Sequence, residues 1–182
     1  MEIPDLAEGD FKRLTISRQL KFIEELAGSE PAILIGSSLG GYLAALYAAA
    51  HPEVKRAVLL APAFGFYQLW IAELGPDRMA EWQRSGSLTV FHYGQGREMP
   101  LSYEFFDDAR QYPPFPDMRQ PTLVFHGNQD AVVPVEQSLA FVQSHPQARL
   151  VRFESGHELT DVLDSIWLNA KSFLLEGIND VY

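Results

Sequence analysis

The sequence predicts an α/β fold, a mainly parallel sheet flanked by helices. Three observations predict it. Apolar runs of strand length alternate with apolar or amphipathic runs of helix length along most of the chain. A glycine-rich turn at Gly36–Gly41 joins one such pair. The later strand-like runs each end in a polar turn, where open parallel sheets keep their ligand crevice. No internal repeat or low-complexity tract competes with this reading.

In chain order, Glu2–Leu6 reads as a stub that leads through Gly9-Asp10 into an amphipathic helix over about Thr15–Ala27. Its Ile16, Leu20, Ile23 and Leu26 recur at helical spacing. Ala32–Ile35 reads as a buried strand, and Leu39–Ala50 as a helix apolar on nearly every face, which belongs against a sheet. Pro52 closes that helix, and Val54–Leu60 gives the next strand, ending at "APAFGF". Residues 64–118 break the rhythm and read as a lid-like insertion within one domain spanning 1–182, with Gly94-Gln95-Gly96 suited to turning a hairpin. The pattern resumes with "PTLVFHGNQD", a strand and polar turn, then a helix over about Val135–Ser144. "ARLVRFESGHEL" is a further strand and turn, and Asp164–Leu175 a final amphipathic helix.

Bulk composition narrows the function classes. At 182 residues and 47% apolar content the chain can bury a full core. Fourteen basic against 24 acidic side chains leave a net charge of −10, which argues against a polyanionic partner such as nucleic acid, and there is no basic stripe. With no cysteine, a disulfide framework, a thiolate nucleophile and a cysteine zinc site are all excluded. "MEIPDLAEGD" has neither a basic n-region nor an apolar h-region, and no run reaches the length of a membrane span. A membrane is therefore not an expected partner, and the cytoplasm is the default compartment.

Gly36-Ser37-Ser38-Leu39-Gly40 fits the G-x-S-x-G nucleophile elbow, a sharp strand-to-helix turn that holds the central serine strained with its hydroxyl exposed. Side chains two residues either side of Ser38 are expected to collide as strand and helix close together, so Gly36 and Gly40 leave that space empty and Gly41 extends it. The turn also puts Ser38 at a helix N-terminus, with the Leu39 N–H placed to donate to an oxyanion. A serine hydroxyl needs a histidine to take its proton and a carboxylate to orient that histidine. Asp130 and His157 fall in strand-end turns, in the chain order serine, acid, histidine that this kind of site uses. Of the five histidines, His51 and His145 each precede a proline, His92 lies in the insertion and His126 lies within its strand. Only His157 has a strand-end turn eased by a glycine, Gly156.

Glu154 and Asp161 are alternative acids, although both lie close in sequence to His157. Asp107-Asp108 and Glu24-Glu25 read as solvated faces or helix starts. No two histidines stand at ligand spacing on one helix, so no metal is expected. For Phe64, Phe66, Tyr67, Trp70 and Phe91 two readings are open: an apolar acyl pocket, lined above all by Phe64, Phe66 and Trp70, or a small satellite core.

"GSSLGGYLAALYA", "LLAPAF", "PTLVFHGNQDAVVP" and "ESGHEL" together make the chain resemble the α/β-hydrolases, and within them the small bacterial esterases of the YqiA/YcfP type. The resemblance covers most of the chain from Ile3 onward, strongly at these motifs and loosely in the insertion. It implies a Ser38–Asp130–His157 triad and hydrolysis of an ester or related acyl bond, with no metal or organic cofactor. One departure stands out. Such relatives open with a strand and a His-Gly-rich loop that supplies a second oxyanion donor, whereas "MEIPDL" looks like a strand already past that loop. The expectation is an N-terminally short sheet with an unpaired edge and no residue to assign as that donor, whose loss costs about 10²–10³ in turnover. Three explanations follow from it: a start codon misassigned in a real enzyme, a short form that completes its site in a homodimer, and a degenerate relative that no longer reacts.

The leading expectation is a serine hydrolase acting on a small-molecule carboxylic ester or thioester. A serine peptidase with a lid is its nearest competitor among enzymes. A noncatalytic binding protein that keeps the elbow as architecture is the rival from another class.

Overall fold

The computed structural model describes residues 1–92 and 95–176, which form two compact units. One comprises Ser29–Phe64 with the described residues from Phe115 onward, and the other Met1–Gly28 with Gly65–Pro114.

The first unit is built on a four-stranded sheet. Its strands are β1 (Ala32–Ser37), β2 (Val54–Leu60), β5 (Thr122–Gly127) and β6 (Ala148–Phe153), in that spatial order and all parallel. Parallel neighbours need crossover connections, which α2 (Leu39–Ala50) provides between β1 and β2 and α5 (Val135–Ser144) between β5 and β6. Every residue of β5 is buried, as expected of a central strand covered on both faces. On one face Val58, Leu123 and Phe125 pack with Ile166, Ala170 and Phe173 of α6 (Leu163–Leu175). Residues Gly41 to Ala48 of α2 are all buried, which explains a helix without a polar stripe.

The strand and helix limits read from the sequence match this unit closely, because its elements carry strong periodicity and sharp punctuation. At the edge of the sheet stands β1, with Ile33 and Ile35 about half exposed. The stub is different. Glu2–Leu6 forms no strand, and Asp5–Gly9 instead closes a turn in which the Asp5 carboxylate accepts from the amides of Ala7 and Gly9.

The second unit contains α1 (Ile16–Ala27), α3 (Phe66–Ser85), β3 (Ser87–His92), β4 (Arg97–Ser102) and α4 (Tyr103–Ala109). The expected hairpin is the antiparallel β3–β4 pair, and Gly96 adopts φ 61° at its turn, whereas Gly94 lies outside the described residues. The helical content of residues 64–118 is not legible in the sequence, since α3 is interrupted at Gly75 (φ 70°) and Pro76, which breaks its periodicity. Phe66, Trp70, Trp82 and Phe105 pack ring against ring at centroid distances of 5.6 to 6.2 Å, and Tyr67 stacks on Phe106 at 4.3 Å. Phe66, Tyr67 and Trp70 thus belong to a satellite core, whereas Phe91 on β3 is about half exposed.

Asp108 is not part of a solvated face. Its carboxylate accepts from the Ser17 amide (2.8 Å) and the Ser17 hydroxyl (2.5 Å), beside the ordinary Thr15 cap on Arg18 N (3.0 Å). A carboxylate at a helix N-terminus satisfies orphan amides and complements the dipole, and here it ties α1 to α4. Asp108→Ala should lower stability by about 1–2 kcal/mol in chemical unfolding, whereas Asp107→Ala, on an exposed surface pair with Arg110, should cost under about 0.5 kcal/mol.

Candidate active site

Each site residue lies just beyond the C-terminal end of a strand of the parallel sheet. Ser38 caps α2 directly after β1 and holds φ 51°, ψ −121°, a left-handed conformation that costs a non-glycine residue of order 1–3 kcal/mol. The surrounding backbone over-determines it. The Ser38 amide donates to Leu60 O (2.8 Å), and Ser38 O accepts from Gly41 N, Tyr42 N and Ala63 N at 2.9 to 3.2 Å. As the first residue of α2, Leu39 has an amide with no acceptor among the described residues, which leaves that N–H available at the serine.

The glycine geometry departs from expectation in an informative way. A Cβ on Gly36 would lie 2.3 Å from Gly40 O and 2.8 Å from Gly41 N, and one on Gly41 would lie 3.1 Å from both Gly36 O and the Pro62 side chain. At Gly40 a Cβ would meet nothing within 4 Å. Strand and helix approach backbone to backbone, so the steric demand falls on Gly36 and Gly41, not on Gly40.

The two turns after β5 and β6 meet in the same manner. The Asn128 amide donates to Phe153 O (2.8 Å) and the Gln129 amide to Ser155 O (3.0 Å). A Cβ on Gly127 would sit 2.2 Å from Ser155 O and 2.6 Å from Gly156 O, so only glycine lets these turns close. Gly156, singled out in the sequence, has ordinary negative φ and open space. Gly127 carries the requirement instead.

These turns bring three predicted side chains into one hydrogen-bonded chain. Ser38 Oγ lies 3.0 Å from His157 Nε2, and His157 Nδ1 lies 2.7 Å from Asp130 Oδ2. Asp130 Oδ1 accepts from the amides of Val132 and Val133, both at 2.8 Å. The Asp130 side chain has no exposed surface, while His157 keeps 12% exposure. Since Asp130 can only accept, His157 carries its proton on Nδ1 and turns Nε2 toward the serine hydroxyl as an acceptor. That arrangement can take a proton from Ser38 Oγ.

The rival residues are engaged elsewhere. Glu154 accepts from Asn128 Nδ2, and Asp161 from the Ser155 hydroxyl. His51 stacks on Tyr47 and pairs with Glu53, and His145 stacks on Phe141. His92 packs against Phe11. Phe64 does not offer its ring to a pocket: it is fully buried, stacked on Phe141 and edge-on to Tyr42 within the sheet unit. Phe66 and Trp70 belong to the satellite core described above. Among the described residues no group of three or more His, Asp or Glu stands together as metal ligands, and no helix is long and apolar enough to cross a membrane.

One further histidine lies beside Asp130. His126 is fully buried, with Nε2 2.9 Å from Val133 O and 3.2 Å from Asp130 Oδ2, and Nδ1 2.7 Å from Ser138 Oγ. Its signal is a polar side chain inside "TLVFHG", a strand buried throughout and, Thr122 apart, otherwise apolar, since such a group must find partners.

A model of the uncharacterised protein family UPF0227 matches residues 1–174. Over an alignment of 72 positions that covers 35% of this chain, the sequence is 38% identical to "Hydrolase ORFZ" of Pyricularia oryzae. The chain spans less than a fifth of the length of the curated relatives it matches, 17% in that case. Among solved structures, mouse alpha/beta hydrolase domain-containing protein 10 superposes with a TM-score of 0.74 at 23% identity, covering 93% of this chain and 71% of that one. Est1E of Butyrivibrio proteoclasticus, seen with ferulic acid bound, gives a TM-score of 0.71 at 23% identity, covering 94% and 72%. At these identities the likeness establishes the fold, an α/β-hydrolase fold.

Gly36→Ala and Gly127→Ala should each destabilise the protein by at least about 2 kcal/mol in chemical unfolding, because backbone must move to admit the new methyl. Gly40→Ala, which adds a helix-favouring methyl in open space, should remain within about 1 kcal/mol of the parent.

Proposed function

We propose, for a chain that belongs to the uncharacterised protein family UPF0227 and to the α/β-hydrolase superfamily, a serine hydrolase that cleaves a small carboxylic ester or thioester through an acyl-enzyme on Ser38. The observation that carries the proposal is the hydrogen-bonded run from Ser38 Oγ through His157 to the buried Asp130. Ser38 Oγ attacks the acyl carbon as its proton passes to His157 Nε2. The imidazolium so formed is stabilised by the Asp130 carboxylate, and the developing oxyanion by the Leu39 N–H at the helix terminus. His157 then returns the proton to the departing alkoxide or thiolate as the carbon–heteroatom bond breaks. Water enters, gives its proton to His157 and attacks the acyl-enzyme, and collapse of the second tetrahedral intermediate frees the acid and restores the Ser38 hydroxyl. These steps need no metal or organic cofactor.

Ferulic acid in Est1E makes esters of aromatic acids one class to screen beside short aliphatic esters. The lid role expected for 64–118 belongs to the same reading, as does a cytoplasmic location.

Exposure to a fluorophosphonate, followed by intact-mass spectrometry and peptide mapping, should give a single adduct on Ser38 that is absent in Ser38→Ala. An unmodified, folded parent protein would overturn the mechanism. Asp130→Asn should keep the fold but lower turnover by about 10⁴, since an amide can donate to His157 and favour the wrong tautomer.

A further inference from the structure

We infer that His126 is a positioning residue for this site: held at both ring nitrogens, it fixes the turn that presents the Asp130 carboxylate to His157. The inference rests on the serine-hydrolase reading above. His126 belongs to β5 itself, one residue before Gly127, and neither the ring nor the Asp130 carboxylate has any exposed surface. Water therefore does not solvate this carboxylate, and its geometry is decided by protein donors alone.

Both groups facing Nε2 are acceptors, the Val133 carbonyl and Asp130 Oδ2, so Nε2 carries the proton and Nδ1 accepts from the Ser138 hydroxyl. The N–H points at Val133 O, and the carboxylate oxygen beside it feels the same positive edge. Two consequences follow. Val133 supplies one of the two amides on Asp130 Oδ1, so pinning its carbonyl holds the amide side of the turn in place. Oδ2, the oxygen on His157, has the ring edge 3.2 Å away, which opposes rotation of the carboxylate out of its aligned plane. Ser138 on α5 completes the brace by fixing the ring's own orientation. His126 touches neither Ser38 nor any group that reacts. Its effect passes entirely through Asp130.

Structural packing alone would ask only for a side chain of similar volume. Positioning asks for a donor at the Nε2 place, which glutamine can supply and leucine cannot. The test compares His126→Leu and His126→Gln with the parent protein, all verified as folded by circular dichroism. Two quantities are read: the rate of fluorophosphonate labelling at Ser38, and the downfield NMR resonance of the His157 Nδ1 proton. The leucine variant should label at least about tenfold more slowly and lose or broaden that resonance. The glutamine variant should label within about threefold of the parent and keep it. With p-nitrophenyl acetate as probe, the loss in the leucine variant should fall on kcat and leave KM nearly unchanged.

A folded leucine variant that labels at the parent rate and retains the resonance overturns the inference. So does a folded glutamine variant as impaired as leucine, which would reduce His126 to packing. If the leucine variant does not fold, Ser138→Ala takes its place, and an unchanged rate and resonance there overturns the brace. A parent protein that resists labelling sinks the serine-hydrolase reading, while the His157 resonance in the variants still decides whether His126 aligns Asp130.

Discussion

A carboxylate with no exposed surface is the constraint on which the site depends. Burying Asp130 without donors would be prohibitive for a charged group, so the chain must deliver polar hydrogens to both of its oxygens. The Val132 and Val133 amides do this for Oδ1, which dictates the tight turn after β5. His157 does it for Oδ2, which requires the turn after β6 to come within reach. That approach is possible only because Gly127 has no side chain to strike Ser155 O. The backbone contact between Gly127 and Ser155 thus sets the distance from acid to imidazole, and through the imidazole the distance to Ser38 Oγ.

The same logic governs the other half of the site. Ser38 is held at positive φ by hydrogen bonds to β2 and to the segment after it, including Leu60 O and Ala63 N. Gly36 and Gly41 allow strand and helix to touch at backbone level, so the strained residue cannot relax by letting the two elements separate. Strain and close approach are complementary here. The turn stores an unfavourable conformation at one residue because the neighbouring contacts leave it no alternative.

Most of the sheet unit was legible in the sequence because its signals are local. β-branched and leucine-rich runs, glycine and proline punctuation, and the all-apolar stretch of α2 each identify an element without reference to anything distant. Ser38, Asp130 and His157 were legible for a related reason: each sits in the polar turn that ends a strand. What was not legible depended on contacts between elements. Nothing near Gly127 in sequence says that Ser155 O will lie against it, and Gly156 looked the better candidate only because it adjoins His157. Asp108 reads as a solvated face or a helix start because its partner, Ser17, is 91 residues away. In residues 64–118, the break at Gly75-Pro76 hides α3, while the aromatics announce burial without saying against what.

His126 shows where a sequence argument can be extended. Its neighbours in β5 are satisfied by burial alone, apart from Thr122, whose hydroxyl returns to Gln120 O at 2.8 Å. A histidine in that strand has two ring nitrogens to satisfy and no water to do it. Alternation along β5 turns its ring to the face opposite Phe125 and α6, where α5 offers Ser138 and the turn after β5 offers Val133 O. The polar residue that looked out of place in the strand is the one whose hydrogen-bonding needs join the strand, the following turn and the following helix. A buried group of that kind constrains every element it bonds, and here those elements carry the carboxylate that orients His157.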